Sequence, residues 1–254
     1  MKPHLRAAGA LSAAMLVALL AGCGGSTSGS PSAGGAAAPT TTATPPPTSG
    51  TATCDFTATP DQPAPAGHDE GLPPNTAPRA GTVMVTLHTS QGDIPITMPR
   101  AAAPCTVASF AYLAGKGYFN NSPCHRLTSA DSLKVLQCGD PTGTGTGGPG
   151  YTIPDENPTN LPKAPGGQGA SLYGRGIVAM ANTGDPHSGG SQFFLVYGDS
   201  ALPATYAVFG TVSVAGLQVL DRVAAAGLAS AAQNPEDGPP ALPVTITSTT
   251  LAGN

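Results

Sequence analysis

The sequence predicts a mainly β domain, a closed barrel or sandwich of antiparallel strands with two helices far apart in the chain. Short apolar runs recur between Thr82 and Leu251, separated by Gly- and Pro-rich loops. Two stretches alone carry helical spacing. The third observation is composition. The chain has 34 Gly and 28 Pro beside only 9% charged residues, so long loops are required and the apolar 40% must concentrate in the regular elements. At 254 residues there is enough chain for one sizeable core plus flanking segments.

The flanking segments come first. Lys2, His4 and Arg6 make a basic start, and Ala7 to Leu20 is an apolar run too short to span a bilayer comfortably. It ends in Leu20-Ala21-Gly22-Cys23, which looks like a bacterial lipobox. Residues 1–22 therefore read as a lipoprotein signal peptide, and Cys23 as the sulfur nucleophile that receives the lipid. An ordinary secretory signal cleaved near Ala21 would leave that lone cysteine unexplained. From Gly24 to Thr53 only Gly, Ser, Ala, Thr and Pro occur, so residues 23–53 form a lipidated tether that spans roughly 30 Å as a flexible coil. Residues 54–79 are an irregular, Pro-rich lead-in, and residues 80–254 are the domain proper.

Within the domain, Thr82 to Thr89 alternates as a strand, Ser90-Gln91-Gly92-Asp93 supplies turn chemistry, and Ile94 to Met98 completes a hairpin. Pro104 opens a helix that carries Val107, Phe110, Ala111 and Leu113 at helical spacing and stops at Gly115 and Gly117. Apolar runs at Cys124 to Leu127, Leu133 to Cys138, Gly176 to Ala181, Gln192 to Tyr197 and Ala207 to Val212 read as strands. A second helix over Leu217 to Ala226 and a last strand over Val244 to Leu251 close the chain.

Chemistry is narrowed by what is missing. A formal charge of −4 with no Lys/Arg cluster lacks the electrostatic footprint of nucleic-acid or anionic-membrane binding, so contact with a membrane is expected only through the lipid anchor. Setting Cys23 aside, Cys54, Cys105, Cys124 and Cys138 are an even number in an exported chain, which suggests two disulfides. Their spacing does not suit a metal site. Gly143-Thr144-Gly145-Thr146-Gly147-Gly148 contains a G-x-G-x-x-G, but Pro149 and Pro154 prevent the helix that would hold a phosphate, and a flexible loop is the better reading. His187-Ser188-Gly189-Gly190-Ser191 brings an imidazole near hydroxyls without a nucleophile elbow or an orienting acid, which argues against hydrolase chemistry.

Two segments are far more specific. Cys124-His125-Arg126-Leu127, followed by Gln137-Cys138-Gly139-Asp140, is similar to the His-Arg and Gln-Gly-Gly-Asp run of the cyclophilins. Gly176 to Asn182 resembles the strand in that family ending Met-Ala-Asn, Gly190-Ser191-Gln192-Phe193-Phe194 its Gly-Ser-Gln-Phe-Phe, and Val208-Phe209-Gly210 its closing Val-Phe-Gly. The matches fall in family order over residues 80–251, so the chain resembles a cyclophilin-type prolyl isomerase, in an exported lipoprotein form of actinobacterial type. The resemblance implies a closed eight-stranded antiparallel β-barrel capped by two α-helices, acting on X-Pro bonds without metal or cofactor.

It also assigns roles. Arg126 falls on the catalytic arginine and Gln137 on the glutamine that supports it. Ala181 and Asn182 fall on residues that hold the substrate backbone, Gln192 on a second polar wall, Phe194 on the floor of the proline pocket, and Leu202 and Tyr206 on its rim. The chain departs from the family over Thr128 to Leu136, which is longer and lacks Phe, so Leu133 and Val135 are assigned the apolar wall. It has no Trp, and Ser200 or Ala201 stands where relatives carry Trp or Phe, which argues against high cyclosporin affinity. His125 is expected to be a hydrogen-bonded interior residue. Cys124 and Cys138 fall in adjacent antiparallel strands near matched positions and are expected to pair, leaving Cys54 with Cys105.

The expectation is a monomeric isomerase of proline-containing exported proteins or peptides, held at the extracytoplasmic face of the cell membrane. The alternatives are an extracytoplasmic holdase that keeps the proline groove but turns over slowly, and a lipoprotein that presents its surface to a partner.

Overall fold

The computed structural model describes residues 49–166, 169–230 and 232–252. The expected signal peptide 1–22, the lipid acceptor Cys23 and the tether as far as residue 48 lie outside the described residues. Among the described residues no helix is long and apolar enough to cross a membrane.

Alternation builds the first hairpin. β1 (Thr82–Thr89) pairs with β2 (Gly92–Pro99) in register from Thr82 opposite Pro99 to Thr89 opposite Gly92. Val83, Val85, Leu87, Ile94, Ile96 and Met98 all turn to the core, because side chains two apart share a face. α1 (Pro104–Lys116) follows, with Pro at its start and Gly117 at φ 78° as its left-handed cap. The N-cap residue Ala103 has no side chain to bond the first amides. Glu156, 50 residues beyond Thr106, supplies that acceptor instead, taking the Cys105 and Thr106 amides at 2.9 and 2.8 Å.

The remaining strands are β3 (Ser122–Pro123), β4 (Arg126–Thr128), β5 (Lys134–Cys138), β6 (Ile177–Met180), β7 (Phe193–Gly198), β8 (Val208–Val212), β9 (Asp237–Gly238) and β10 (Thr245–Ala252). With β1 and β2 they make one antiparallel sheet in the order β9-β4-β5-β7-β6-β8-β2-β1-β10-β3. This corrects the expected closed eight-stranded barrel to an open, curled sheet of ten strands whose ends do not pair. Both end strands are two residues long. Pro123 has no amide to donate, and Pro239 and Pro240 follow β9 at once, so neither edge can extend a ladder. α2 (Val214–Ala226) starts three residues before the expected Leu217, because the Ser213 hydroxyl caps the Gly216 amide at 3.1 Å.

Aromatic rings fill the concave side. Phe110 of α1 stacks on Phe119 at 4.9 Å, meets Phe193 edge-on at 5.0 Å and lies 5.1 Å from Phe209. All four are at most 1% exposed.

The lead-in is more regular than its composition suggested. Thr51–Thr53 pairs with Thr76–Pro78, and Thr57–Ala58 pairs with Tyr151–Thr152. Thr51–Thr53, at the end of the expected tether, thus forms a strand, with Ala52 and Ala77 buried opposite one another. Both anticipated cysteine pairs, Cys54 with Cys105 and Cys124 with Cys138, stand at bonding distance. Their sequence separations of 51 and 14 correspond to about 4 and about 3 kcal/mol of loop-closure entropy removed from the unfolded chain.

Phe110→Ala is expected to cost about 3–5 kcal/mol in denaturant unfolding, because it opens a cavity among three rings. Replacing Cys124 and Cys138 together by Ala should cost about 3 kcal/mol in the same measurement.

Candidate active site

The convex side of the sheet carries a second, smaller set of side chains. Register places Arg126 opposite Gln137, Gln137 opposite Phe194, Phe194 opposite Ala179 and Ala179 opposite Val208, a row across β4, β5, β7, β6 and β8. Their chain neighbours Leu127, Leu136, Phe193, Val178 and Phe209 belong to the core on the other face.

One end of the row is apolar. Val135, Tyr173, Ala179, Phe194 and Val196 are buried together, and Leu133, Ala181, Leu202 and Tyr206 pack partly buried against them. All six apolar residues singled out from the sequence thus meet in one cluster. Phe194 and Tyr206 stand edge to face at 5.5 Å. Tyr173, from a short strand Ser171–Tyr173 paired with Ser200–Leu202, was not anticipated. Its hydroxyl donates to the Tyr206 carbonyl at 3.0 Å and accepts the Tyr206 amide at 3.2 Å, which holds the rim in place. Burial pushes that hydroxyl up to about 12 against the bond to Tyr206, so it stays protonated. Leu161 also joins the cluster from an irregular loop whose sequence shows no periodicity.

The other end is polar and continuous. Arg126 donates from Nε and Nη2 to the two carboxylate oxygens of Asp237, both at 2.7 Å, and from Nη1 to Gln137 Oε1 at 3.0 Å. Gln137 Nε2 donates to Gln192 Oε1 at 2.9 Å, and Gln192 Nε2 donates to the carbonyls of Gly145 and Gly147 at 2.9 and 3.0 Å. Three of the guanidinium's five N–H groups are thereby used, and two remain for a ligand. Hydrogen bonding to Asp237 holds the Arg126 group above its ordinary value, and hydrogen bonding to Arg126 holds Asp237 below its own. Both stay charged near neutral pH.

Asp237 is the main residue that sequence reading missed. It lies on β9, where it faces Thr128 of β4, within a run of Pro and Gly that has no periodicity to place it. The available signal was only that a half-buried arginine needs an anion, and the chain has 14 acidic residues to choose from.

The Gly-rich segment expected to be a flexible loop is wound around Asp140. That carboxylate, fully buried, accepts the amides of Thr142, Gly145 and Gly147 at 2.8, 2.7 and 3.0 Å and the Thr142 hydroxyl at 2.7 Å. Burial alone would raise its pKa, but these donors outweigh that and lower it. A Cβ on Gly147 would sit 2.0 Å from Asp140 Oδ1, so only glycine lets the loop close this tightly.

Asn182 spends its side chain locally, with Nδ2 donating to the Thr205 carbonyl at 2.8 Å and Oδ1 accepting the Gly184 amide at 3.1 Å. His125 departs from expectation: its Nδ1 is buried with no hydrogen-bond partner among the described residues. Burial lowers its pKa against the pull of Asp140, so the ring stays neutral. His187 Nδ1 accepts the Asp155 amide while the Ser188 hydroxyl donates to the Asp185 carbonyl, so the two do not form a nucleophile–base pair.

An antiparallel sheet with two helices, and an arginine–glutamine pair beside an apolar pocket on its convex face, define the class. The family model described as cyclophilin type peptidyl-prolyl cis-trans isomerase/CLD matches residues 84–251, and the chain belongs to that family. It is 50% identical over 196 residues to the probable peptidyl-prolyl cis-trans isomerase B of Mycobacterium leprae, covering 74% of this chain and 65% of that one. With the protein of the same description from Mycobacterium tuberculosis it shares 46% over 196 residues, covering 74% and 62%. The chain thus spans a little under two thirds of the length of these mycobacterial relatives. The human peptidyl-prolyl cis-trans isomerase-like 3 is 39% identical over 143 residues, covering 55% of this chain and 80% of that one. A Cryptosporidium parvum cyclophilin type isomerase, solved in the presence of the dipeptide Ala-Pro, superimposes with a TM-score of 0.50 at 25% identity, covering 67% of this chain and 99% of that one.

Asp237→Asn, which keeps the shape but removes the charge, should lower kcat/KM on a proline peptide about tenfold, a factor worth about 1.4 kcal/mol. Because folding depresses the Asp237 pKa, its contribution to stability is complete above the ordinary Asp value of about 4 and is lost as pH falls through the depressed one. Acid unfolding curves of Asp237→Asn should lack that component.

Proposed function

We propose that the chain catalyses cis/trans isomerisation of X-Pro peptide bonds. The observation that carries this reading is Arg126, fixed from one side by Asp237 and from another by Gln137, beside the pocket floored by Phe194. Rotation about an amide must break its resonance, at a barrier of about 18–20 kcal/mol. In the twisted state the proline nitrogen regains a localised lone pair and the preceding carbonyl changes its charge. A donor already aimed there stabilises that state more than the planar one.

A guanidinium suits the task because it stays charged at every physiological pH and needs no proton transfer. Phe194, Leu133, Val135, Leu202 and Tyr206 grip the proline ring, and Gln192 forms the polar wall. The main chain at Ala181 and Asn182 holds the neighbouring residue, since the Asn182 side chain is occupied. With both flanks fixed, only the peptide bond turns. The Ala-Pro dipeptide present with the Cryptosporidium relative supports proline peptides as the ligand class.

The clients are proposed to be exported proteins, and the site to be tethered through lipidated Cys23 at the outer face of the cell membrane as a monomer. Support comes from the basic start, apolar run and lipobox-like end of residues 1–23 and from two cysteine pairs at bonding distance, which suit an oxidising compartment.

In a protease-coupled or NMR exchange assay, Arg126→Ala should lower kcat/KM by about a hundredfold or more, the scale of removing one preorganised donor. A wild type no faster than the variant would remove the isomerase reading. Radiolabelled palmitate should enter the wild type and not Cys23→Ala; equal labelling would remove the anchor.

A further inference from the structure

The strand that carries Arg126 is lightly laddered. β4 is three residues long, and two register pairs join it to β5 and two to β9. β5, by contrast, pairs with β7 at five positions. Ahead of Arg126 the ladder to β5 stops and alternation fails. Period two would put Cys124 on the face of Arg126, yet Cys124 is buried in the core beside Cys138, with Leu127 and Leu136. The Cys124–Cys138 pair thus stands at bonding distance two residues before Arg126 and one after Gln137. We propose that this pair is a positioning element for the catalytic arginine. Its bond sets where the chain enters β4 and so holds the guanidinium against Gln137 beside the proline pocket. The inference rests on the isomerase reading, and it gives neither cysteine a contact with substrate.

The two ends of the bond are held unequally. Cys138 lies opposite Phe193, whose ring meets Phe110 at 5.0 Å and Phe119 at 5.7 Å. Gly139 follows, packed so closely that a Cβ there would lie 2.3 Å from the Ser191 carbonyl oxygen. Cys124 is held by less: its amide donates to the Val244 carbonyl at 2.8 Å. Asp237 does not fix the spacing of β4 from β5 either, because it lies on the two-residue β9, which pairs with β4 and follows it. A shift of β4 against β5 would carry Arg126 and Asp237 together, keep their ion pair and lose the Arg126–Gln137 bond. Misplacing an acting group by about 1 Å can cost up to a hundredfold in rate. Val135 and Phe194 sit on β5 and β7, so the grip on the proline ring does not depend on where β4 lies. The bond therefore acts on turnover and not on binding.

Making the bond is thiol–disulfide exchange. The two thiols give up two protons and two electrons, and a disulfide of a small molecule or an oxidoreductase takes them and becomes two thiols. Cys124 and Cys138 are 3% and 0% exposed, so the fold shields the finished bond from reductants. Activity is set once, on oxidation, and the chain with free thiols is a slow isomerase.

The test uses the full chain, with Cys124→Ala/Cys138→Ala as the variant. Cys54→Ala/Cys105→Ala is the control, because it loses the longer loop closure at a site away from β4. NMR titration with a short Ala-Pro peptide gives Kd, and exchange spectroscopy at saturating peptide gives kcat. Cys124→Ala/Cys138→Ala should lower kcat about tenfold and leave Kd within about twofold of wild type, while the control keeps both. In an Arg126→Lys background, which lacks the planar fork, removing the Cys124–Cys138 pair should change kcat by less than about twofold. The control chain refolded and kept in reductant retains Cys124 and Cys138 as thiols. It should show the same fall in kcat, and it supplies the reading should the alanine pair prevent folding. Unchanged kcat, a rise in Kd that matches the fall in kcat, or an equal fall in the Arg126→Lys background would overturn the positioning role. A wild type no faster than Arg126→Ala would instead overturn the isomerase reading.

Discussion

The pairing register of β4, β5, β7, β6 and β8 is the constraint on which the rest of the site depends. It sets Arg126, Gln137, Phe194 and Ala179 in one row on the convex face while Leu127, Leu136, Phe193 and Val178 enter the core. A slip of one residue in any of these strands would exchange the two sets. It would put a guanidinium among aromatic rings and a phenyl ring in water, which is costly on both counts. The packing of Phe110, Phe119, Phe193 and Phe209 therefore fixes the site as firmly as any contact made by the site itself.

Held in that register, the polar groups need partners, and these come from loops that strand geometry does not specify. Asp237 arrives on a two-residue strand between α2 and the last strand, and Gly145 and Gly147 arrive on a loop gathered around Asp140. Each loop presents its group because a buried or half-buried charge enforces it: Arg126 needs an anion, and the Asp140 carboxylate needs amide donors. The result is an unbroken series of hydrogen bonds from Asp237 to the Gly-rich loop, with two N–H groups of Arg126 left over. Such preorganisation suits a reaction in which no bond is made and no proton moves.

The lead-in shows how a segment of low regularity is held to a domain. Its composition is that of a linker, yet a cysteine pair joins it to α1, one short ladder pairs its end with Thr51–Thr53, and another pairs it with Tyr151–Thr152. It lies outside residues 84–251, over which the chain matches its family.

Much of this was legible in the sequence, and for identifiable reasons. Alternation in residues 82–98 gives the first hairpin, and the spacing of Val107, Phe110 and Leu113 after Pro104 gives α1, because period and end signals are local properties of the chain. The residue pattern around Arg126, Gln137, Asn182, Gln192 and Phe194 names the polar and apolar halves of the site by resemblance. Tertiary structure alone decided the rest. It opened the sheet at two proline-bounded edges, joined Glu156 to the start of α1, brought Tyr173 beside Tyr206, and left His125 Nδ1 without a partner among the described residues. Above all it paired Asp237 with Arg126, 111 residues apart. A sequence read in one dimension states which groups need partners; only the folding of sheet and loops together determines which of many chemically equivalent groups comes within 3 Å.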